Sequence, residues 1–245
     1  MSLLVDEGMR YPFRGDRSID LLATGGLLGI VTAMLVQLSS AAAPSPLAVV
    51  FLFFAIVPVV ALLGYLLRVF EATVRGDETP PGFRPLGRLI RDGTRLAVVA
   101  VGYAVVPLFL IAVTVGGLMR APFDPDSIGF IGTLLFFGAS TVVMLLIASF
   151  GYVFPVAAGK VADSGRLRES VRLRCRRSVL VHGGYFTAWM LAVLFVVPGW
   201  AFLLTALSSA TLFGVVAAFV TFYAHVVATR LVARGYRKAT LDAGA

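Results

Sequence analysis

The sequence predicts an all-α fold, a polytopic transmembrane helical bundle of six spans, and three observations support this prediction. Hydrophobic residues make up 59% of the 245 residues, charged residues only 14%, and the mean hydropathy is +0.93. The apolar residues form six segments that reach the ~20 residues that a helix needs to cross a bilayer. Lysine and arginine lie almost entirely in alternate connections between those segments. This composition excludes an ordinary soluble enzyme, a secreted disulfide scaffold and a disordered chain.

The six apolar segments are expected to be helices, because lipid offers no hydrogen-bond partners to an open backbone. We expect a single integral membrane domain over residues 1–245. Its spans are predicted near Ile19–Leu38, Pro46–Phe70, Thr94–Met119, Ile128–Ala158, Val179–Thr205 and Thr211–Leu231.

The first segment is expected to be a retained span rather than a cleaved signal peptide. It exceeds the roughly 7–15 apolar residues of a signal peptide, and its N-terminal flank carries Asp6, Glu7 and Asp16. The run Gly25-Gly26-Leu27-Leu28-Gly29 within it contains a GxxxG pattern. This pattern predicts close packing against another helix, in the same chain or in a second one.

The second segment is expected to continue as a helix beyond the lipid headgroups. Arg68, Glu71 and Arg75 recur there at helical spacing, and Glu71 and Arg75 form a favourable pair four residues apart. Gly76 is a typical C-terminal stop, and the proline-containing segment 77–81 cannot remain helical.

The distribution of positive charge predicts the orientation. Twenty of the 21 lysine and arginine residues lie in the N-terminal arm, the second and fourth connections and the C-terminal tail. The positive-inside rule therefore places both termini on the cytoplasmic side of the cell membrane. The remaining connections are too short to hold an extracellular domain.

Each of the two basic cytoplasmic connections is expected to contain an interfacial amphipathic helix. The first is predicted to begin near Pro85, before the third span, with Leu89 and Gly93 on its apolar face and Asp92 on its polar face. The second is predicted to run from Ser164 through Ser178, before the fifth span.

The second amphipathic segment carries six arginines that are candidate ligands for anionic lipid headgroups, at about 1 kcal/mol per charge near the surface. They are Arg166, Arg168, Arg172, Arg174, Arg176 and Arg177. Alternatively these charges only set the topology, and the two roles are compatible. We expect the lipid bilayer as a partner, and the choice between a protein partner and a homo-oligomer stays open. Nucleic acid is not expected, because few aromatic residues interleave with the charges.

Five side chains inside the apolar segments are candidates for lining a cavity: Tyr65, Tyr103, Tyr152, Tyr185 and His225. Each tyrosine follows a glycine, which lets a neighbouring helix approach, and an ionisable histidine inside a span is a candidate functional group. The alternative interpretation for the tyrosines is helix packing and anchoring at the membrane surface, and we favour it. For His225 the alternative is a neutral, hydrogen-bonded packing role, which the sequence supports at least as well.

The sequence lacks the patterns of membrane catalysis. Asp, Glu, Lys and Arg occur only near the ends of the predicted spans and not in their interior, although ion-coupled transporters and proton pumps normally carry such groups there. No metalloprotease, P-loop or nucleophile-elbow motif occurs, and the single cysteine, Cys175, excludes an intrachain disulfide. We expect no enzymatic activity, no cofactor and no metal. The scattered acids, such as Asp77, Glu78 and Asp92, are expected to form ion pairs with neighbouring arginines.

Three stretches together resemble a known family. They are Arg10-Tyr11-Pro12-Phe13-Arg14-Gly15-Asp16; Gly64-Tyr65-Leu66 with Arg68, continuing to Arg75-Gly76-Asp77-Glu78 and Pro80-Pro81-Gly82-Phe83; and Asp92-Gly93 leading into Gly102-Tyr103 and Pro107. They resemble the archaeal membrane proteins of domain-of-unknown-function family 4013. The resemblance covers nearly the whole chain and is most specific in its first half. It implies a polytopic membrane protein of an archaeon, and it implies no activity, substrate or site residue.

Two hypotheses for the function follow. The first is a non-enzymatic membrane scaffold or accessory protein with a basic, lipid-facing cytoplasmic surface. The alternative is a permease or channel for a small neutral or lipid-like solute. That pathway would be built around the Gly–Tyr pairs and around four prolines inside the spans, namely Pro58, Pro107, Pro155 and Pro198. Each proline either frees a backbone carbonyl that can bind the solute or only kinks its helix.

Overall fold

The fold is helical throughout the part of the chain that the computed structural model describes, residues 2–120, 129–164 and 177–243. These residues form α1 (Ser2–Arg10), a 3-10 turn (Tyr11–Phe13), α2 (Ser18–Ala42), α3 (Pro46–Arg75), α4 (Leu86–Arg120), α5 (Phe130–Ser164), α6 (Arg177–Leu180), α7 (Gly183–Ser208) and α8 (Leu212–Asp242). Within the described ranges, six helices (α2, α3, α4, α5, α7 and α8) are long and apolar enough to cross a membrane. They indicate a multi-pass membrane protein, and the predicted all-α fold with six spans is confirmed.

The second span extends past its apolar segment, as predicted. The Glu71 and Arg75 side chains pair at 3.7 Å on the last turn of α3. Gly76 ends the helix with φ at 96°, and the next N–H, that of Asp77, bonds to the Ala72 carbonyl at 2.9 Å. A residue with a β-carbon rarely adopts this backbone conformation, so Gly76 itself determines where the helix ends, and the end could be predicted from the local sequence.

The first predicted amphipathic helix is not a separate element. The chain from Leu86 to Arg120 is one continuous helix, so the segment that begins after Pro85 is the first part of the third span. Asp92, predicted on an exposed polar face, is only 4% exposed. It is buried because Arg68 of α3 lies 4.0 Å away and Arg88, one turn earlier on α4, lies 3.5 Å away. The second predicted amphipathic helix falls largely on residues 165–176, outside the described residues.

The glycine pattern of the first span packs within the chain, against α8. A β-carbon on Gly25 would overlap the ring of Phe222, and one on Gly26 would overlap the ring of Phe219. The predicted close packing of this pattern is confirmed, and α2 and α8 contact each other through it.

The bundle has two chemically different ends. α2 with α3, and α7 with α8, form helical hairpins. The last turns of α2 and α7 meet, since Gln37 Nε2 donates to the Ala206 carbonyl at 3.0 Å. The opposite end, called the basic end below, holds residues 2–17, the connection 76–85, residues 177–182 and the last turns of α8. α8 packs against α2, α3, α5 and α7, so it organises both ends.

Candidate functional site

A cavity of about 450 Å³ opens at the basic end between the start of α7 and the end of α8. We call it the α7–α8 groove. Among the described residues that line it, the floor is apolar and the rim carries three cations, Arg234, Arg237 and Lys238. The other lining residues are Gly184, Thr187, Ala188, Leu191, Leu231, Gly235, Leu241 and Asp242.

The two helices of the groove are joined by His182. As the N-cap residue of α7, it accepts the Gly184 N–H at Nδ1, at 3.1 Å. Its Nε2–H donates to Asp242 Oδ2 at 3.0 Å, near the end of α8. Gly235 lets the helices approach below this link, because a β-carbon there would press on that of Ala188. The groove is therefore bounded by a polar bridge on one side and a close helix contact on another.

The cations of the groove differ in their partners. Arg234 forms a close ion pair with Glu7, and the guanidinium of Arg237 lies over Gly76, at the carbonyl-rich end of α3. Lys238 is exposed, and no carboxylate of the described residues lies within 4 Å of its ammonium group. Asp242 is the one acid among the described lining residues, and His182 already binds it. The groove thus presents unneutralised positive charge above an apolar floor.

Such a surface is complementary to an anion that carries an apolar chain. Arginine and lysine donate hydrogen bonds to phosphate oxygens, and the stems of these side chains tolerate apolar contact. Most apolar residues of the floor are buried, and Leu241 at its edge is exposed, so Leu241 offers the surface on which a hydrocarbon chain packs. The sequence alone does not reveal this groove, because Arg234, Arg237 and Lys238 stand out in it only as charges of the C-terminal tail. Their spacing on a helix that continues beyond Leu231 is the signal that was available.

Of the six arginines predicted to bind lipid, only Arg177 is among the described residues. It begins α6 at the basic end and is exposed. The other five predicted ligands (Arg166, Arg168, Arg172, Arg174 and Arg176) lie outside the described residues, and their lipid-binding role stays a prediction.

Two further arginines are buried at the basic end. Arg230 is only 4% exposed; its guanidinium donates to Thr73 Oγ1 at 3.1 Å and to the Asp77 carbonyl at 2.7 Å. It also lies 4.2 Å from the centre of the Tyr11 ring and 3.9 Å from Glu7. A buried guanidinium is stable only with such partners, so Arg230 joins the N-terminal segment and the end of α3 to α8.

Arg68 performs the same role for the connection between α3 and α4. Its guanidinium donates to the carbonyls of Gly82 and Arg84 at 3.1 and 3.0 Å, and to that of Pro85 at 2.8 Å. Nearby, Tyr65 stacks on Phe83, with ring centres 4.2 Å apart. The stretches that carry the family resemblance are thus brought together as a packed structure, which local spacing alone does not reveal.

Three acids, Asp77, Glu78 and Asp92, are paired with arginines, as predicted. Asp77 lies 3.6 Å from Arg75, and Glu78 lies 3.7 Å from Arg14. Asp92 has three arginine neighbours within 4.0 Å. The predicted ion pairing of these three acids is confirmed.

Of the five predicted cavity-lining residues, only Tyr152 and Tyr185 are described in contact with each other. Tyr152 and Tyr185 are in contact, 5.1 Å between ring centres, and their hydroxyls donate to backbone carbonyls, Tyr185 to that of Tyr152 itself. Tyr103 lies beside Phe154, and Tyr65 packs in the aromatic cluster with Phe83. For these four tyrosines a cavity-lining role stays a prediction, and their described contacts are those of helix packing.

His225 does line a cavity, a second one of about 180 Å³ in the apolar part of the bundle. The cavity lies between α2, α3, α7 and α8, and His225 is one of its few polar wall residues. Its Nδ1–H donates to the Thr221 carbonyl at 2.7 Å. The predicted group is therefore in a cavity, although the predicted tyrosines are not beside it.

Comparison with known proteins gives one match. Residues 47–207 match the family model described as "Protein of unknown function (DUF4013)". No curated protein and no solved structure matches the chain. The matched residues include α3, α4 and the described parts of α5 to α7.

Proposed function

The chain belongs to the DUF4013 family, and from that premise we propose that it is a non-enzymatic membrane scaffold or accessory protein that binds anionic phospholipid at its basic end. In this proposal the protein resides in the cell membrane of an archaeon, with both termini in the cytoplasm. The family description supplies no activity, so the proposal depends on the geometry of the site.

The α7–α8 groove is the observation that supports this proposal. Lys238 and Arg237 place positive charge at the rim without a carboxylate partner among the described residues, and the floor is apolar. A phospholipid matches both features, because its phosphate can bind the rim while one hydrocarbon chain contacts the exposed Leu241. Each cation near a membrane surface contributes about 1 kcal/mol to the binding of anionic lipid.

The position of the groove also supports the proposal. The groove lies at the basic end, and the positive-inside rule assigns the lysine- and arginine-rich N-terminal arm and C-terminal tail to the cytoplasm. Anionic headgroups of that leaflet lie at the level where a spanning helix emerges from the lipid. Lys238 follows the apolar part of α8, so its ammonium group is expected within reach of those headgroups.

The alternative function, a permease or channel for a small neutral or lipid-like solute, has one supporting observation, the cavity beside His225. The prolines at 58, 107, 155 and 198 lie inside continuous helices, and the Tyr152 and Tyr185 hydroxyls are occupied by backbone carbonyls. A pathway through broken helices therefore has no support from these contacts.

The experiment is native mass spectrometry of the protein in micelles, with phosphatidylglycerol or phosphatidylcholine added at equal concentration. Three proteins are compared: wild type, the double variant Arg237→Gln/Lys238→Gln, and the control Arg17→Gln/Arg91→Gln. The control removes two exposed arginines, one at the basic end and one near the start of α4, that do not line the groove.

We expect wild type and control to retain phosphatidylglycerol in preference to phosphatidylcholine. We expect the groove variant to bind the anionic lipid roughly 30-fold more weakly, from two charges at about 1 kcal/mol each. Equal retention of the two lipids by wild type, or equal losses in the groove variant and the control, would contradict the proposal. Retention of a small solute instead of lipid would favour the permease.

A further inference from the structure

The second cavity has a composition that specifies the chemistry of its ligand. We call it the His225 cavity. Among the described residues its wall is almost entirely aliphatic, with His225, Thr32 and Thr221 as the polar members. The other lining residues are Gly29, Ala33, Val59, Leu62, Leu63, Leu66, Leu203, Ala206, Leu207, Ala218 and Phe222.

The volume sets the size of the ligand. An engineered apolar cavity of about 150 Å³ stays dry and binds benzene. The His225 cavity, at about 180 Å³, is slightly larger, so it admits a six-carbon ring with one small substituent. A single apolar body of this size, or part of a longer one, fills it.

The protonation of His225 follows from its hydrogen bond. A carbonyl oxygen only accepts, so the bond of 2.7 Å between Nδ1 and the Thr221 carbonyl places a hydrogen on Nδ1. No carboxylate of the described residues pairs with the ring, and an unpaired charge in an apolar wall is costly. The imidazole is therefore neutral, and its Nε2 is a hydrogen-bond acceptor. Nε2 has no partner among the described residues and is not sealed by neighbouring atoms.

The two threonines add acceptors and no free donor. Thr32 Oγ1 donates to the Leu28 carbonyl at 2.8 Å, and Thr221 Oγ1 donates to the Gly199 carbonyl at 3.3 Å. Each hydroxyl hydrogen is thus used inside the protein, while the oxygen lone pairs remain. Every polar side chain of the described wall can accept a hydrogen bond, and none has a hydrogen left to donate.

We propose that the His225 cavity binds a membrane-soluble alcohol, an apolar molecule whose single hydroxyl donates to His225 Nε2. Hydrocarbon alone would leave this acceptor unsatisfied, and a carbonyl compound would place two acceptors against each other. The ligand enters a site that is separate from the α7–α8 groove, so the proposal does not depend on lipid binding at the basic end.

The chain offers a direct spectroscopic test because it contains only two histidines, His182 and His225. Protein labelled with ¹⁵N-histidine is reconstituted in nanodiscs and titrated with cyclohexanol. Methylcyclohexane has nearly the same shape and no hydroxyl, and it is the matched control. His182 serves as an internal reference, since both of its ring nitrogens are already hydrogen-bonded.

We expect cyclohexanol to shift the His225 Nε2 resonance saturably toward the position of a hydrogen-bonded nitrogen, with His182 unchanged. We expect methylcyclohexane to bind roughly fivefold more weakly, the value of one net hydrogen bond, and to leave Nε2 without that shift. Equal affinity for the two compounds, or the absence of a saturable shift with cyclohexanol, would overturn the proposal.

A pair of variants tests the acceptor. His225→Phe keeps a ring in the wall and removes the acceptor, so the preference for the alcohol over the hydrocarbon, measured by competition, should disappear. The control is Thr205→Val on α7, which removes a hydroxyl outside the cavity wall and keeps the shape of the side chain, so it should keep that preference. A preference retained in His225→Phe would show that another group binds the hydroxyl. The titration of the wild type stands if His225→Phe does not fold.

Discussion

Gly64 of α3 and Gly93 of α4 lie directly against each other where the two helices cross. A β-carbon on Gly93 would overlap the Val60 carbonyl oxygen, and a β-carbon on Gly64 would overlap that of Leu89. Backbone therefore meets backbone, and no flexible side chain is present to move aside. This contact, together with the Arg68–Asp92 pair, packs the start of α4 directly against α3.

Gly93→Ala is expected to destabilise the protein by about 1–3 kcal/mol, because the added methyl group forces the helix backbones apart. Thermal unfolding in detergent, followed by helical circular dichroism, measures the change. Gly102→Ala on the same helix is the control, since a β-carbon there meets nothing within 4 Å and alanine favours helix. Similar thermal unfolding midpoints for Gly93→Ala and Gly102→Ala would show that α3 and α4 can move apart at the crossing without loss of stability.

Arg68→Lys is expected to loosen the connection 76–85. A lysine ammonium keeps the charge that faces Asp92, but it lacks the planar set of donors with which the guanidinium bonds to three carbonyls. Limited proteolysis between Arg75 and Pro85 should become faster than in wild type. Arg88→Lys is the matched change at an exposed partner of Asp92 and should leave the cleavage rate close to that of wild type. Equal rates in the two variants would contradict this role of Arg68.

Tyr11 makes the N-terminal contact sensitive to alkaline pH. Burial raises the pKa of Tyr11 above its usual value of about 10, and the positive charge of Arg230 opposes this only in part. Because the folded-state pKa is the higher one, the stabilisation is complete below pH ~10 and is lost as pH rises through the folded pKa.

Tyr11→Phe should remove this component of the pH dependence. Below pH ~10 wild type and Tyr11→Phe are expected to be almost equally stable, because the hydroxyl donates to the Thr79 carbonyl at a long 3.4 Å. Above pH ~10 wild type is expected to become the less stable of the two. Unfolding midpoints at several alkaline pH values, with tyrosinate absorbance as a second probe, measure it. A difference that does not change with pH would mean that Tyr11 ionises as an exposed tyrosine does.

The proposed orientation predicts which sites react with a membrane-impermeant maleimide. In a Cys175→Ser background, Ala210→Cys probes the short connection before α8, and Ala243→Cys probes the basic end; both positions are exposed. We expect modification of Ala210→Cys in intact cells, and modification of Ala243→Cys only after the membrane is permeabilised. The opposite pattern would reverse the orientation and would place the α7–α8 groove outside the cell.

The sequence predicted the spans well because each one carries its own hydropathy signal. It could not predict the surroundings of Asp92, because Arg68, which buries it, lies on another helix. The neighbour of Gly93 could not be predicted either. An apolar helix face suits both lipid and a neighbouring helix, and only the structure shows that Gly64 packs against Gly93. The Gly–Tyr pairs indicated close packing, but the acceptors of the Tyr152 and Tyr185 hydroxyls depend on how α5 and α7 meet.

The candidate site was predicted less completely than the fold. His225 was identified because an ionisable group inside a span is conspicuous, and the structure places it on a cavity wall. The groove was missed because an apolar floor formed by Ala188 and Leu231 exists only after α7 and α8 pair. The position of Lys238 in the sequence does not indicate that α7 packs beside it.

The contacts of Glu7 have a consequence for biosynthesis. Its partners Arg230 and Arg234 belong to the sixth span, and Glu7 leaves the ribosome 227 residues before Arg234. At about 5–20 residues per second, this interval lasts roughly 10 to 45 s. Throughout it, the carboxylate lacks these two partners while five spans insert ahead of them. The nascent protein can form the Glu7 contacts only after the last helix has been inserted. A ribosome that stalls within α8 therefore leaves an assembly intermediate whose N-terminal segment is exposed to membrane quality control.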